Sequence, residues 1–228
     1  MFTNGNLAAP LSALSFLGAG LLILMVGLVL VYSSLKQKMT LKRIALAAVV
    51  TVGGSYLGVM LLFSFRSTEQ LLARGQEKYF CEIDCHLAYS VKDLRETNTL
   101  GNMPNQIQAP GTFRLVTIQT RFDPETIRPQ KPSAPLTPNA RIVSVHDENG
   151  NVYFPSPEGQ RILDLAQAAG TPMTTPLGPG QTYTTSLVFD LPVSARTPTL
   201  LIQEGDFITR LLIGHENSPL HKKTRFLI

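Results

Sequence analysis

The sequence predicts two membrane-spanning helices followed by an all-β domain, a β-sandwich with one short helical insert. Three observations predict this fold class. Residues 1–65 hold two long apolar runs and no acid, strand-like alternation follows residue 86, and 15 of the 16 prolines lie beyond residue 66, between the β-rich runs. Seven or eight short strands punctuated in this way are typical of a sandwich.

Residues 1–66 are predicted to form a transmembrane hairpin with spans at 8–32 and 44–65, because roughly 20 apolar helical residues cross a bilayer. The loop between the spans, 33–43, carries the only charged residues of positions 1–65: Lys36, Lys38, Lys42 and Arg43. Positive loops stay in the cytoplasm. We therefore expect a multi-pass protein of the bacterial inner (cytoplasmic) membrane, with both termini and the C-terminal domain on the periplasmic side. Residues 1–10 lack the basic start of a signal peptide, so we expect the anchor to be uncleaved.

The charge distribution argues against several functions. The net charge of +4 comes from the loop, since the other 16 bases balance all 16 acids. No basic surface is therefore expected for nucleic acid. Neither span contains an ionisable group, which argues against an ion path. No small-molecule substrate is evident in the sequence.

Small residues recur at packing spacing in both spans. They are Ala13, Gly20 and Gly27 in the first span, and Ala47, Gly54 and Gly58 in the second. Small side chains let helix backbones approach closely in lipid. Two compatible alternatives follow, namely packing of the hairpin against itself and contact with a helix of another integral membrane subunit.

Residues 67–85 are predicted to form a juxtamembrane connector, in which Ser67–Phe80 begins as a continuation of the second helix. The sandwich is predicted at 86–228, where runs of alternating, β-branched or aromatic residues indicate strands. These runs are Leu87–Val91, Phe113–Phe122, Arg141–His146, Asn151–Phe154, Thr182–Leu191, Thr199–Gln203, Phe207–Ile213 and Thr224–Ile228. Asn149-Gly150 predicts a hairpin turn between the third and fourth of them.

Two further segments stand out within the predicted sandwich. Ser156 followed by Pro157 predicts the start of a short helix that Gly170 ends. The loop Asp123–Asn139 contains five prolines and is expected to be extended. It either crosses between sheets or lies along a neighbouring subunit.

The segment FCEIDCH, residues 80–86, is the one place that suggests chemistry. Cys81 and Cys85 could form a disulfide in an oxidising compartment, provided that the chain turns between them. C-x-x-x-C-H is also a one-residue expansion of the haem c attachment motif, with His86 as the proximal ligand. Copper held by both thiols and a histidine is the third alternative. Further ligands for a haem or metal could come from Met103, Met173, His146, His215 or His221.

Two outward-ended membrane helices before an external β domain resemble the second subunit of haem-copper oxidases, whose copper site also has cysteines four residues apart. That family has a histidine four residues after the second cysteine and a methionine three further on. Here those positions are Tyr89 and Lys92, and the cysteines precede the β domain. The resemblance is therefore one of topology alone.

The run LGPGQTYTTSLVFDLP, residues 177–192, resembles the strand signature of telokin-like, immunoglobulin-like domains displayed outside bacterial cells. The resemblance covers about 100 residues. It implies an immunoglobulin-like β-sandwich with structural or binding roles, and it supplies no catalytic residues. The tail GHENSPLHKKT, residues 214–224, together with KYFCEIDCHLAYSV, is similar to uncharacterised bacterial two-helix membrane proteins.

A hydrolytic site built from His215, Glu216, Ser218 and His221 is not expected, because no nucleophile elbow accompanies them. The sequence thus predicts a noncatalytic accessory subunit of a larger membrane complex, respiratory or photosynthetic, that contacts other integral membrane subunits and lipid and carries no cofactor. The alternative is a membrane-anchored electron-transfer protein that binds haem c or copper at Cys81, Cys85 and His86.

Overall fold

The computed structural model describes residues 8–80, 86–124 and 135–228. These residues form two compact units. The first consists of residues 8–68 together with Asp206–Lys222. The second consists of Glu69–Gly205 and Lys223–Ile228.

The first unit contains two long helices, α1 (Ala8–Leu35) and α2 (Met39–Arg66). Both are long and apolar enough to cross a membrane. The prediction of two long apolar N-terminal helices is confirmed. The predicted loop 33–43 is too long, however, because the helices break only at residues 36–38, where Gln37 adopts a positive φ of 51°. Helical hydrogen bonds continue through the polar and basic residues at the edges of the apolar runs.

The first unit also includes Asp206–Lys222, here called the inserted segment, which opens with a 3₁₀ helix at Phe207–Leu211. The strand predicted at Phe207–Ile213 is therefore wrong. Its apolar run resembles a strand in composition, but the hydroxyl of Thr209 donates to the carbonyl of Asp206 at 2.5 Å and closes a local turn.

The second unit is a β-rich domain with two sheets. One sheet has the strand order β1-β9-β8-β5-β6 and the other the order β2-β3-β4-β7. The strands are β1 (Gln70–Leu72), β2 (Lys78–Phe80), β3 (Leu87–Leu100), β4 (Ile107–Phe122), β5 (Arg141–His146), β6 (Val152–Tyr153), β7 (Thr182–Leu191), β8 (Thr199–Glu204) and β9 (Thr224–Leu227). β1 runs parallel to β9, and the other pairs are antiparallel.

Seven of the eight predicted strands are present, and β5 and β7 have the predicted bounds. The expected helical continuation over Ser67–Phe80 is wrong, because α2 ends at Arg66 and the predicted connector contains β1 and β2. The Asn149-Gly150 turn is confirmed, with Gly150 at φ 84° and the Asp147 carboxylate accepting from the backbone amides of Asn149 and Asn151.

The predicted helical insert is α3, Pro157–Leu165. The hydroxyl of Ser156 caps it by accepting from the amide of Gly159 at 3.2 Å. Ile162 and Leu163 bury the inner face of α3 against Val188 of β7 in a small separate cluster.

The main core lies between the two sheets. Tyr89, Ile118 and Phe189 come from one sheet, whereas Ile202 and Phe226 come from the other, and all five are buried in one cluster. Burial of an aliphatic or phenylalanine side chain contributes about 1.5–3 kcal/mol. The shared core therefore holds the two sheets together.

Candidate functional site

Of the C-x-x-x-C-H motif, the structure describes only His86. Cys81 and Cys85 lie outside the described residues, as does most of the predicted proline-rich loop, so the disulfide, haem and copper alternatives stay predictions. His86 is 3% exposed, and its ring stacks on that of Phe122 with centroids 5.1 Å apart. It directly precedes β3, and its carbonyl accepts from the amide of Asp123 at 2.7 Å. This bond extends the β3–β4 pairing by one residue.

The ring of His86 is oriented by a second bond. Its Nδ1 lies 2.9 Å from the carbonyl oxygen of Asp123. Since a carbonyl only accepts, this contact places the proton of a neutral ring on Nδ1 and the lone pair on Nε2. Metal-binding histidines are commonly fixed in this manner.

The other candidate ligands have surroundings of their own. Met103 is exposed, and Met173 packs against the main core. The Nε2 of His146 lies 3.0 Å from Ser144 Oγ, and burial lowers the pKa of His146. His215 and His221 belong to the first unit. Within residues 8–80, 86–124 and 135–228, no three His, Cys, Asp or Glu side chains are grouped so that they could hold a metal.

A polar network surrounds Arg121 at the end of β4 near His86. The guanidinium donates to both carboxylate oxygens of Glu77 at 2.7 Å, to the hydroxyl of Tyr79 at 2.9 Å and to Asp123 at 2.9 Å. Ala88 of β3 pairs with Tyr79 of β2 on one side and with Arg121 of β4 on the other. Because the side chain of Ala88 is small, the two long side chains contact each other above it. No sequence motif marks this network, because 44 residues separate Glu77 from Arg121.

The network favours one fixed protonation state. The hydrogen bond from Arg121 lowers the pKa of Glu77, whereas burial and the bonds to Asp123 and Glu77 raise the pKa of Tyr79. Glu77 therefore stays charged and Tyr79 stays protonated near neutral pH. A general acid or base works best with a pKa near the working pH, so these shifts favour a structural role for Glu77 and Tyr79.

A second polar cluster is buried between the sheets. Lys78 of β2 is 0% exposed, and its Nζ donates to the carbonyls of Ile202 at 2.7 Å and Thr224 at 3.1 Å. These carbonyls belong to β8 and β9 of the opposite sheet. Lys78 thus joins the two sheets through their backbones.

Arg141 and Glu204 form a buried cross-strand pair beside Lys78. Their closest atoms, Nη1 and Oε1, are 3.4 Å apart. The guanidinium carbon of Arg141 lies 4.3 Å from the centroid of the Phe80 ring, and Lys78 Nζ lies 5.0 Å from the same centroid. Both cations are thereby placed within cation–π range of one aromatic ring.

A cleft of about 520 Å³ lies beside α3. Its walls are mostly apolar and are formed by Ile142, Val143, Phe154, Pro155, Ala169, Gly170, Pro172, Met173 and Leu187, with Arg141, Gln160, Asp164 and Thr185 as the polar residues. Gln160 Nε2 donates to the carbonyl of Ser186 at 3.2 Å, whereas its buried Oε1 has no donor among the described residues. The cleft has room for a small apolar molecule, but no cluster of reactive groups lines it.

The predicted helix-packing glycines lie on open parts of the hairpin. Apart from the adjoining residues and backbone of its own helix, a Cβ atom added at Gly20, Gly27, Gly54 or Gly58 would meet no atom of the described chain within 4 Å. These glycines therefore do not mediate contact between α1 and α2. Contact with another subunit stays a prediction.

The inserted segment does not form a nucleophile–base pair in the described contacts. The hydroxyl of Ser218 donates to the carbonyl of Leu212, and Nδ1 of His215 accepts from the amide of Asn217 at 3.0 Å. Both contacts hold the segment in its own turn. That the segment is noncatalytic stays a prediction.

No protein-family model matches the sequence, and no curated protein matches it. A conserved hypothetical protein from Bacillus anthracis is similar over 57% of this chain and 88% of its own, with 15% identity and a TM-score of 0.41. The secreted protein MPT63 from Mycobacterium tuberculosis is similar over 71% of this chain and 98% of its own, with 12% identity and a TM-score of 0.42. Neither similarity establishes a family.

Proposed function

We propose that this chain is a noncatalytic accessory subunit of a larger membrane complex in the bacterial inner membrane. The helical hairpin anchors it, and an immunoglobulin-like β-sandwich clamps neighbouring subunits on the periplasmic face. A respiratory or photosynthetic electron-transfer assembly is the proposed host, because small one- or two-helix subunits recur in such complexes.

The observation that carries the proposal is the open, apolar surface of the hairpin. Large side chains such as Leu14, Leu24 and Leu57 are more than half exposed, and the space around Gly54 and Gly58 is open. Lipid can cover the large side chains. The two glycines, four residues apart on one helix face, instead offer a groove in which another helix can approach closely.

Replacing Gly54 and Gly58 with leucine tests the assembly role. We expect the double variant to lose co-purifying subunits in mild detergent while its β domain stays resistant to protease, because the main core comes entirely from the second unit. The matched control is Ser55→Leu with Val59→Leu, which adds bulk at the same spacing on a neighbouring exposed face. Wild-type protein that purifies alone from native membranes would refute the accessory role.

The proposed topology depends on the bases at Lys36, Lys38, Lys42 and Arg43. A cysteine introduced at Ser34 should be protected from an impermeant thiol reagent in spheroplasts, whereas one introduced at the exposed Val193 should react. Labelled sites are identified peptide by peptide, so that the native cysteines do not confuse the result. Labelling of Ser34→Cys would place the loop outside and reverse the topology.

The alternative function is electron transfer by haem c or copper bound at Cys81, Cys85 and His86. The fixed ring of His86, with Nδ1 bonded to a carbonyl, supports it. The visible spectrum and metal content of purified protein separate the two functions. An accessory subunit should show neither a Soret band nor stoichiometric copper, and Cys85→Ser should then reduce stability alone.

A further inference from the structure

The inserted segment, Asp206–Lys222, lies along the last third of α2. The hydroxyl of Tyr56 donates to the carbonyl of Leu211 at 2.7 Å. Nearer the end of the helix, Gly214 lies beside Phe63, and the amide of Lys222 donates to Ser67 Oγ at 2.8 Å. Three contacts therefore hold the segment beside α2 between Tyr56 and Ser67, which lie eleven positions, or about 16 Å, apart along the helix axis.

The inserted segment exposes apolar side chains and buries polar ones, which is the reverse of a loop in water. Phe207 and Ile208 are 67% and 58% exposed, whereas Thr209, Glu216 and Ser218 are buried. The polar groups bond within the segment, as when Asn217 Nδ2 donates to Thr209 Oγ1 at 2.9 Å. Water does not favour this arrangement, because it exposes apolar surface and buries polar groups.

The position along α2 indicates which medium covers the apolar residues. If α2 crosses the bilayer with Lys42 and Arg43 at the cytoplasmic surface, roughly 20 residues of hydrocarbon extend from Ile44 to Phe63. Tyr56 precedes Phe63 by seven residues and so lies about 10 Å inside the outer boundary. The carbonyl of Leu211 accepts from the Tyr56 hydroxyl, and so lies within one tyrosine side-chain length of that depth.

We propose that the inserted segment is a re-entrant element of the outer leaflet, with Phe207 and Ile208 in contact with lipid acyl chains. The proposal rests on the proposed function only in requiring that the hairpin spans the membrane. Arg210 is exposed beside them, and its long side chain can extend to lipid phosphates.

The hydrogen bond of Tyr56 fits this location. Non-helical backbone is tolerated in the hydrocarbon layer only where its polar groups find partners in the protein. Leu211 is the last residue of the five-residue 3₁₀ helix, and its carbonyl accepts a hydrogen bond from the hydroxyl of Tyr56 in the apolar helix α2. Tyr56 is therefore a positioning residue for the inserted segment.

The chain contains no tryptophan, so single substitutions give unambiguous fluorescence probes. Full-length Phe207→Trp and, separately, Ile208→Trp are reconstituted in phosphatidylcholine vesicles with and without mid-chain brominated phosphatidylcholine, which quenches only by contact. We expect blue-shifted emission and strong loss of intensity in brominated vesicles. Val193→Trp, in the β unit, is the exposed control and should keep its intensity.

Leu24→Trp, in the middle of α1, distinguishes failure of this inference from failure of the proposed anchor. If Leu24→Trp is quenched but neither Phe207→Trp nor Ile208→Trp is, the hairpin spans the membrane and the re-entrant segment is refuted. If Leu24→Trp is also unquenched, the membrane anchor itself is wrong. Adding Tyr56→Phe to Phe207→Trp should reduce the quenching, and unchanged quenching would refute the positioning role of Tyr56.

Discussion

Replacing Lys78 with methionine should destabilise the β domain more than any charge-removing substitution on its surface. Methionine keeps a similar length but removes the ammonium that donates to Ile202 and Thr224. The contact of the ammonium with the Phe80 ring is lost as well. The link between the backbones of the two sheets at this point therefore disappears.

The distances set the expected magnitude. At 2.7 Å and 3.1 Å both contacts of Lys78 are within normal hydrogen-bond range. Each hydrogen bond from a charged donor contributes about 1.5–3 kcal/mol to stability. Methionine also avoids the desolvation cost of the buried ammonium, which offsets part of the loss of the two bonds. We expect the free energy of unfolding to fall by about 2–4 kcal/mol.

Urea unfolding of the full chain in detergent, followed by near-ultraviolet circular dichroism, measures this loss. Lys92→Met is the matched control, because Lys92 lies on β3 but is exposed, and it should change stability by less than about 0.5 kcal/mol. If Lys78→Met is as stable as Lys92→Met, the hydrogen bonds across the sheets do not stabilise the domain.

Three further predictions concern the β domain. Gly111→Ala should destabilise the β domain by about 2–4 kcal/mol in the same urea assay, because a Cβ atom at residue 111 would lie 2.0 Å from the carbonyl oxygen of Leu191. A variant as stable as the wild type would show that β4 and β7 separate easily. The hydrogen bond from Arg121 lowers the pKa of Glu77 in the folded state. The ionised Glu77 therefore stabilises the folded protein at pH values above the ordinary carboxylate pKa, and this stabilisation is lost as the pH falls through the pKa of Glu77 in the folded state. Glu77→Gln should therefore flatten the stability profile below about pH 4, and an unchanged acid slope would contradict this. Ser156→Ala should cost about 1 kcal/mol through the lost helix cap, and an effect no larger than a surface substitution would show that the cap is unimportant.

The local sequence pattern predicts best those strands whose bounds are set by their own residues and flanking turns. β5 and β7 were predicted residue for residue, since alternation and flanking turns mark both ends. β1 was missed because three residues carry little pattern and its partner, β9, is distant in sequence. The strand predicted at Phe207–Ile213 is wrong because composition does not reveal the local turn that Thr209 closes with the carbonyl of Asp206.

The candidate sites were predictable only in part. The C-x-x-x-C-H motif is contiguous, so His86 could be singled out directly. Arg121 and Glu77 carry no shared motif, and only the pairing of three strands brings them together. The buried state of Lys78 was equally hidden, because lysine within a strand usually indicates the solvent face.

The parallel pairing of β1 with β9 has a consequence for biogenesis. It joins residues 70–72 to residues 224–226, so about two-thirds of the chain must be synthesised and closed into a loop before β1 finds its neighbour. Contacts this distant slow folding. Until β9 has been synthesised, β1 keeps an unpaired edge, and chaperones would be most needed in that interval.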